Sequence, residues 1–341
     1  MDIRTLATHL GLSIGTVSRA LNGRKDVSAA TRARVEQAAQ ALGYTPNQAG
    51  RALRQQRTVT IGFILPLVPD SALFGDPFFL AVLDGVQAVL DAEGLELVVL
   101  LARVEHGSLR VLQRQLGRGI ADGWILAATE REDARIALLV AQQIPFVTLG
   151  RSDTPGAYPS IDLDFEGMVD TAMARLIAAG HRRIAFITSG RDINFSHLVI
   201  ARYEAALRGA GLPIDPDLLH AGRVNAEHCA LATTAFLALE TPPTAIFVMS
   251  ENGPVGVYAS LRAAGLEPGR DVAVIGQRRT PACAALTPAL TCFAVPLRDL
   301  GEELARALLP GLRGEGATAT RRVWPMHWVA GESDGWLGAE R

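Results

Sequence analysis

Residues 11–22, Gly11-Leu12-Ser13-Ile14-Gly15-Thr16-Val17-Ser18-Arg19-Ala20-Leu21-Asn22, gather short hydroxyls, an arginine and an amide around Val17 and Leu21, two apolar positions at helical spacing. Those groups suit the edges and backbone of a DNA duplex. Arg19 can fork onto the O6 and N7 of guanine, Ile14 can meet a thymine methyl, and Thr16 and Ser18 can bond phosphates without blocking close approach. Singly, each has a plain alternative: Ser13 as a helix cap, Thr16 and Ser18 as ordinary surface. Charge points the same way. Residues 1–57 carry nine basic side chains against three acidic ones, on a chain whose net charge is −2. A basic head on an acidic body fits one surface made for a polyanion and another made for something else.

Three short helices must position these groups. Ile3, Leu6, Ala7 and Leu10 recur at helical spacing, Gly11 offers a turn, and Ser13 can cap the second helix until Asn22-Gly23 ends it. A third amphipathic segment starts at Ser28, carries Thr31, Val35, Ala38, Ala39 and Leu42, and stops at Gly43. The spacing predicts a helix-turn-helix head.

From Val59 the period changes. Apolar strands at 58–66, 95–101, 123–127 and 145–149 alternate with helices over 78–93, 108–116 and 133–143. A second series follows, with helices at 167–179, 198–210, 226–238 and 255–264, strands at 183–188, 245–249 and 273–276, and a returning segment near 290–309. Alternation of this kind predicts parallel, doubly wound sheets in two lobes around a cleft, with ligands outside the C-terminal strand ends. Resemblance of this pattern to the periplasmic-binding-protein architecture implies three crossovers, near Ser160, Ala289 and Val323.

Other chemistries find little support. His181-Arg182-Arg183 and His220 stand without a Ser/His/Asp set, metal-ligand spacing or phosphate loop, so neither an enzyme nor a cofactor or metal is expected. Cys229, Cys283 and Cys292 form no C-x-x-C pair and read as buried thiols in a reducing compartment. No charged-then-apolar leader opens the chain and no apolar run reaches the roughly 18 residues of a membrane span, so a cytoplasmic location and no membrane partner are expected.

Residues 3–62 resemble the LacI/GalR family of transcriptional regulators. The motifs are Gly11-Leu12-Ser13-x-x-Thr16-Val17-Ser18-Arg19-x-Leu21-Asn22-Gly23, Val27-Ser28-x-x-Thr31-Arg32-x-x-Val35, Leu42-Gly43-Tyr44-x-Pro46-Asn47, Arg51-x-Leu53-Arg54 and Thr60-Ile61-Gly62. The likeness continues more weakly to about residue 333. It implies a head at 1–46, a hinge at 47–58 and an effector-binding and dimerisation body at 59–341. Within the body, lobe 1 is placed at about 59–159 and 290–322, and lobe 2 at about 160–289 and 323–341.

The body then looks like a periplasmic-binding-protein architecture. The resemblance implies a homodimeric regulator, in most members a repressor, bound to a pseudo-palindromic operator and controlled by a sugar or sugar derivative. Its implied DNA contacts are Ser13, Ile14, Gly15, Thr16, Ser18, Arg19, Asn22, Thr31, Asn47, Arg51, Leu53 and Arg54. Leu53 matches the leucine that wedges into the minor groove from a hinge helix, and Gly50 stands where the family has alanine. Phe74, Leu80 and Leu83 are candidates for the dimer face or, equally, for core.

Asp76, Phe78, Arg151, Asp164, Phe195, Glu251 and Arg278 fall at the expected crevice, where an aromatic face with arginine and aspartate partners suits a saccharide. Phe78 as core and Asp164 as a cap are the plain alternatives. The pattern also breaks. The family's effector-gripping arginine, four residues before an aromatic, aligns with Val199 ahead of Tyr203. Its Asn-Asp reads Ser250-Glu251, and its Gly-Phe-Asp-Asp reads Gly276-Gln277-Arg278-Arg279, a reversal of charge that would suit an acidic or phosphorylated ligand or, alternatively, a solvated pair where sugar recognition has decayed. A solute-binding protein without DNA function is the alternative reading of the body.

Overall fold

Apolar residues three and four apart in the first forty positions bury one face each of α1 (Ile3–Leu10), α2 (Ile14–Leu21) and α3 (Ala29–Ala41). The structure, a computed structural model, describes residues 3–21, 27–41, 59–67, 78–103, 107–315 and 319–335. Leu6, Leu10, Val17, Ala20, Val35 and Ala39 close a small core of their own. Gly11 makes the turn between α1 and α2 at φ 64°, a left-handed conformation that favours glycine. Ser13 Oγ accepts the Thr16 amide at 3.1 Å and Ser28 Oγ the Thr31 amide at 3.2 Å, so both later helices begin on serine caps. Arg34 Nη2 donates to the Leu10 carbonyl at 2.7 Å and ties α3 to the end of α1.

The body is built on two parallel sheets. The first contains β1 (Thr60–Leu67), β2 (Glu96–Arg103), β3 (Gly123–Ala127), β4 (Phe146–Leu149), β5 (Ser160–Leu163) and β11 (Arg321–Trp324), in the order β11-β5-β4-β3-β1-β2. Between these strands run α4 (Phe78–Glu93), α5 (Ser108–Arg118) and α6 (Ala134–Ala141). The second sheet has β6 (Ile184–Ser189), β7 (Leu219–Gly222), β8 (Ala245–Val248) and β9 (Ala273–Gly276), in the order β7-β6-β8-β9. Its helices are α7 (Phe165–Ala178), α8 (Asn194–Gly209), α9 (Ala226–Leu237) and α10 (Gly253–Ala263), with a short α11 (Pro281–Ala284). Strands β3 and β8, inside their sheets, and β9, at the edge of the second, are buried at every residue, as strands covered by helices on both faces must be.

Helix α12 (Leu297–Arg313) returns to the first sheet beside α4, and Val82, Val86 and Leu90 pack with Leu300, Leu304 and Leu308 in one core. An antiparallel pair, β10 (Cys292–Ala294) with β12 (His327–Val329), stands beside the second lobe.

The expected crossovers shift. Strand β5 pairs with β4 and β11 inside the first sheet, and Ile161 and Leu163 bury in its core, so the chain leaves lobe 1 at the end of the strand that starts at Ser160, after Leu163. Cys292 and Phe293 bury in the second lobe's cores, which moves the return from Ala289 to residues 295–296. The last crossing follows Trp324, paired with Leu163, so 290–294 go to lobe 2 and 323–324 to lobe 1. Burial of those side chains decides the first two cases, and strand pairing with β5 decides the third, where Val323 is exposed. Among the described residues no helix is long and apolar enough to cross a membrane.

Candidate functional site

Helix α2 presents a capped, polar outer surface. Val17 and Ala20 are fully buried beneath it, while Ile14 is 43% exposed and Gly15 and Arg19 are exposed. Thr16 and Ser18 are half-buried, and the hydroxyls of Ser13 and Thr16 share a 2.9 Å hydrogen bond at the cap. A Cβ added to Gly15 would meet only Ser13 Oγ at 3.7 Å, so the backbone there leaves room for a side chain facing outward. Thr31 is half-buried in the first turn of α3, its hydroxyl 2.8 Å from that of Ser28. Asn22, Asn47, Arg51, Leu53 and Arg54 lie outside the described residues, as do Phe74 and Asp76.

Of the crevice candidates, Phe78, Glu251 and Arg278 come together. Arg278, at the C-terminal end of β9, binds Glu251 beyond β8 through both branches of its guanidinium, at 2.6 and 3.0 Å. The same guanidinium lies 5.3 Å from the ring centre of Phe78, on the first turn of α4 in the other lobe. The expected reversal of charge at 278 is therefore balanced by Glu251. Leu80, on the same turn, is 67% exposed, whereas Leu83 packs against the lobe-1 core.

The other described candidates collect at the first crossover. Arg151, after β4, gives Nε to Asp162 at 2.6 Å and both terminal nitrogens to Glu166, so its fork is filled by protein carboxylates. Burial pushes the Asp162 carboxyl up against the pull of Arg151. Asp164 accepts the Gly167 amide at 2.9 Å and caps α7, and Phe195 packs edge-on against Phe165 at 4.5 Å. Val199 is fully buried in the second lobe's core.

Two features had no signal in the sequence. Asn194, at the start of α8, donates its amide to Thr129 O and its Nδ2 to Arg151 O, both at 2.9 Å, and so stitches lobe 2 to lobe 1. Asp133 and Arg135 form a buried fork at 2.5 and 2.9 Å, and Arg135 also holds the carbonyls of Ala127 and Ala128. Ala128 takes a left-handed φ of 50° at the end of β3, a conformation costly for a residue with a Cβ. Burial alone would raise the Asp133 carboxyl, but the bond and charge of Arg135 hold it below its ordinary value.

Beside these contacts lies a cavity of about 500 Å³, lined by Glu130, Arg131, Glu132 and Asp153 from lobe 1 and by Asp192 and His197 from lobe 2. Among the described residues no His, Cys, Asp and Glu group could hold a metal ion. The three cysteines are buried and free, and burial pushes Cys229 to about 12 and Cys292 to about 11, the range of an unreactive thiol.

A helix-turn-helix head on a two-lobed α/β body defines a class of ligand-responsive DNA-binding proteins. Residues 2–47 match the family described as bacterial regulatory proteins, lacI family, and residues 173–333 match the periplasmic binding protein-like domain. The chain is 33% identical over 344 residues to the HTH-type transcriptional regulator AglR of Rhizobium meliloti (strain 1021), covering 98% of this chain and 94% of that one. It is 31% identical to the HTH-type transcriptional regulator CelR of Thermobifida fusca, covering 97% of each. A solved structure of the regulator CelR with cellobiose superposes with a TM-score of 0.73 at 29% identity, over 98% of this chain and 99% of that one. The chain belongs to the LacI family of DNA-binding transcriptional regulators. A solute-binding protein without DNA function does not fit its head.

Proposed function

We propose that this regulator is a cytoplasmic, homodimeric repressor and not an enzyme, and that a sugar or sugar derivative in the inter-lobe crevice sets its affinity for a pseudo-palindromic operator. The observation that carries the reading is the outward face of α2, with Ile14, Gly15 and Arg19 exposed on a serine-capped helix over a closed core. In it Arg19 and Ile14 meet base edges, Ser13, Thr16, Ser18 and Thr31 dock on the backbone, and Asn22 extends the contact surface. The hinge residues Asn47, Arg51, Leu53 and Arg54 approach the minor groove, with Leu53 as the wedge. The cellobiose complex of CelR supports a saccharide as effector. Asp76, Phe78, Arg151, Asp164, Phe195, Glu251 and Arg278 line or position that crevice.

Ligand binding between lobes already joined by Asn194, and by Arg278 over Phe78, changes their closure, and differential affinity for the two arrangements sets the size of the switch. A mobility-shift experiment on DNA upstream of the gene is expected to give a discrete complex. Absence of any complex at moderate salt overturns the operator-binding reading. A thermal-shift screen of saccharides then finds the effector, since a ligand at 100 times its Kd adds about 2.7 kcal/mol.

A further inference from the structure

Three of the side chains expected to hold a ligand hold one another. Arg278 is 5% exposed at the C-terminal end of β9, and the Glu251 carboxylate from beyond β8 accepts its guanidinium at 2.6 and 3.0 Å. From there the guanidinium reaches across the crevice to within 5.3 Å of the ring centre of Phe78, on the first turn of α4 in lobe 1. Carboxylate, guanidinium and aromatic ring form one line of contacts that spans both lobes.

Each partner is fixed from its own side. The backbone around Arg278 is pinned, Gln277 N donating to Val248 O at 2.9 Å and Arg279 N to Phe293 O at 2.8 Å. The Glu251 carbonyl accepts the Thr280 hydroxyl at 3.4 Å and the Cys283 thiol at 3.3 Å, which ties that residue to the turn after Arg278. In lobe 1, Phe78 packs against the core and meets Phe79 edge-on at 5.0 Å, while Phe79 meets Phe63 of β1 at 6.3 Å. The ring surface that Phe78 turns to lobe 2 is therefore the one the guanidinium covers. That surface carries the negative side of the ring quadrupole, which attracts a cation and the C–H groups of a sugar by the same electrostatics. Guanidinium and sugar ring exclude each other there.

We infer that Arg278 is a specificity gate, a tethered occupant of the crevice that a saccharide must displace from Phe78 in order to bind. The inference rests on the crevice being the effector site. Displacement leaves Arg278 paired with Glu251 on lobe 2, so its charge stays balanced and only the contact between the lobes is lost. Ligand and lobe contact compete for one ring face, and a sugar that stacks on Phe78 loosens this junction. Sugars whose other groups offset that loss are admitted, and those that offer ring stacking alone are refused.

The test uses the full-length chain and three neutral disaccharides, maltose, lactose and cellobiose. Combining Arg278→Gln with Glu251→Gln removes the guanidinium without stranding a carboxylate, Arg278→Lys keeps the cation, and Phe78→Leu removes the ring. A disaccharide that binds wild type is expected by calorimetry to bind the paired variant about 5- to 30-fold more tightly, with Arg278→Lys in between and Phe78→Leu weakened. A disaccharide bound by the paired variant and not by wild type supports the gate in the same way. Equal or weaker binding to the paired variant overturns it. If none of the three binds any of these proteins, the effector reading fails by itself and hydrogen exchange still decides the gate. Phe78→Leu in lobe 1 is expected to speed amide exchange at 277–280 in lobe 2, and the paired variant to speed it at 78–83 in lobe 1, each by at least about fivefold, with Arg278→Lys near wild type. Exchange left unchanged across the crevice in both variants shows that Arg278 does not join the lobes and overturns the proposal.

Discussion

Gly15 and Ile14 occupy the part of α2 where a side chain can be changed without touching the core. Gly15 is exposed with open space around its Cβ position, and Ile14 is 43% exposed beside it. Gly15→Gln or Ile14→Tyr is expected to alter the preferred operator while leaving head stability within about 0.5 kcal/mol. Selection from a randomised DNA pool reads the first effect and thermal unfolding the second; an unchanged preferred site counts against base reading by this pair. The buried fork of Asp133 and Arg135 carries a different expectation. Removing one partner of a buried pair costs about 3–5 kcal/mol, so Arg135→Met should be strongly destabilising at neutral pH.

The pH response of that variant has a definite sign. In the wild type the Asp133 carboxyl is held low in the folded state, so its contribution is present above the unfolded value near pH 4 and lost as pH falls through the folded one. Without Arg135, burial raises the carboxyl, and the folded variant then gains stability as acid protonates it. The gap between wild type and Arg135→Met should narrow from pH 7 toward pH 4 in urea titrations; a constant gap removes the electrostatic account.

At the scale of elements, the crossing of α4 and α12 depends on two glycines that face each other's backbone. A Cβ on Gly85 would fall inside the envelope of the Arg298 carbonyl, and one on Gly301 would meet that of Val82. Gly85→Ala or Gly301→Ala is expected to cost at least about 1–3 kcal/mol by overpacking, measured as a lowered urea midpoint of the body. A neutral Gly85→Ala would mean that the helices can slide apart freely. The apolar periodicity of 78–93 identified α4, yet nothing in it marked Gly85 as a contact with residues more than two hundred positions away.

Short elements were illegible for a related reason. Arg321-Arg322-Val323-Trp324 has no alternation and is a strand only because β5 offers it a partner, and Leu219–Gly222 is one because it pairs with β6. Helix α8 begins at Asn194, not 198, because the docked Asn194 starts the turn.

For the whole molecule, the basic head and acidic body make operator binding a polyelectrolyte reaction. Two heads on one operator, each with several phosphate contacts, are expected to lose affinity by about a thousandfold or more between roughly 50 and 200 mM salt, measured by fluorescence anisotropy. An affinity indifferent to salt would place the DNA surface elsewhere. Local order carried the head: helix spacing, a glycine turn and serine caps act within a few residues, so its three helices, its outward face and its partner could be read from the chain. Alternation likewise carried the two parallel sheets, because a strand buried on both faces must be apolar throughout.

Only the tertiary structure decided where the chain crosses between the lobes, since Ile161 and Phe293 are equally apolar and differ only in which core they enter. It also decided the charge of the crevice. Arg278 and Arg191 are both arginines beyond lobe-2 strands, but one meets Glu251 from a neighbouring strand end and the other meets no carboxylate at ion-pair distance among the described residues. Pairing of charges is set by side chains brought together from distant positions, and spacing along the chain does not record it.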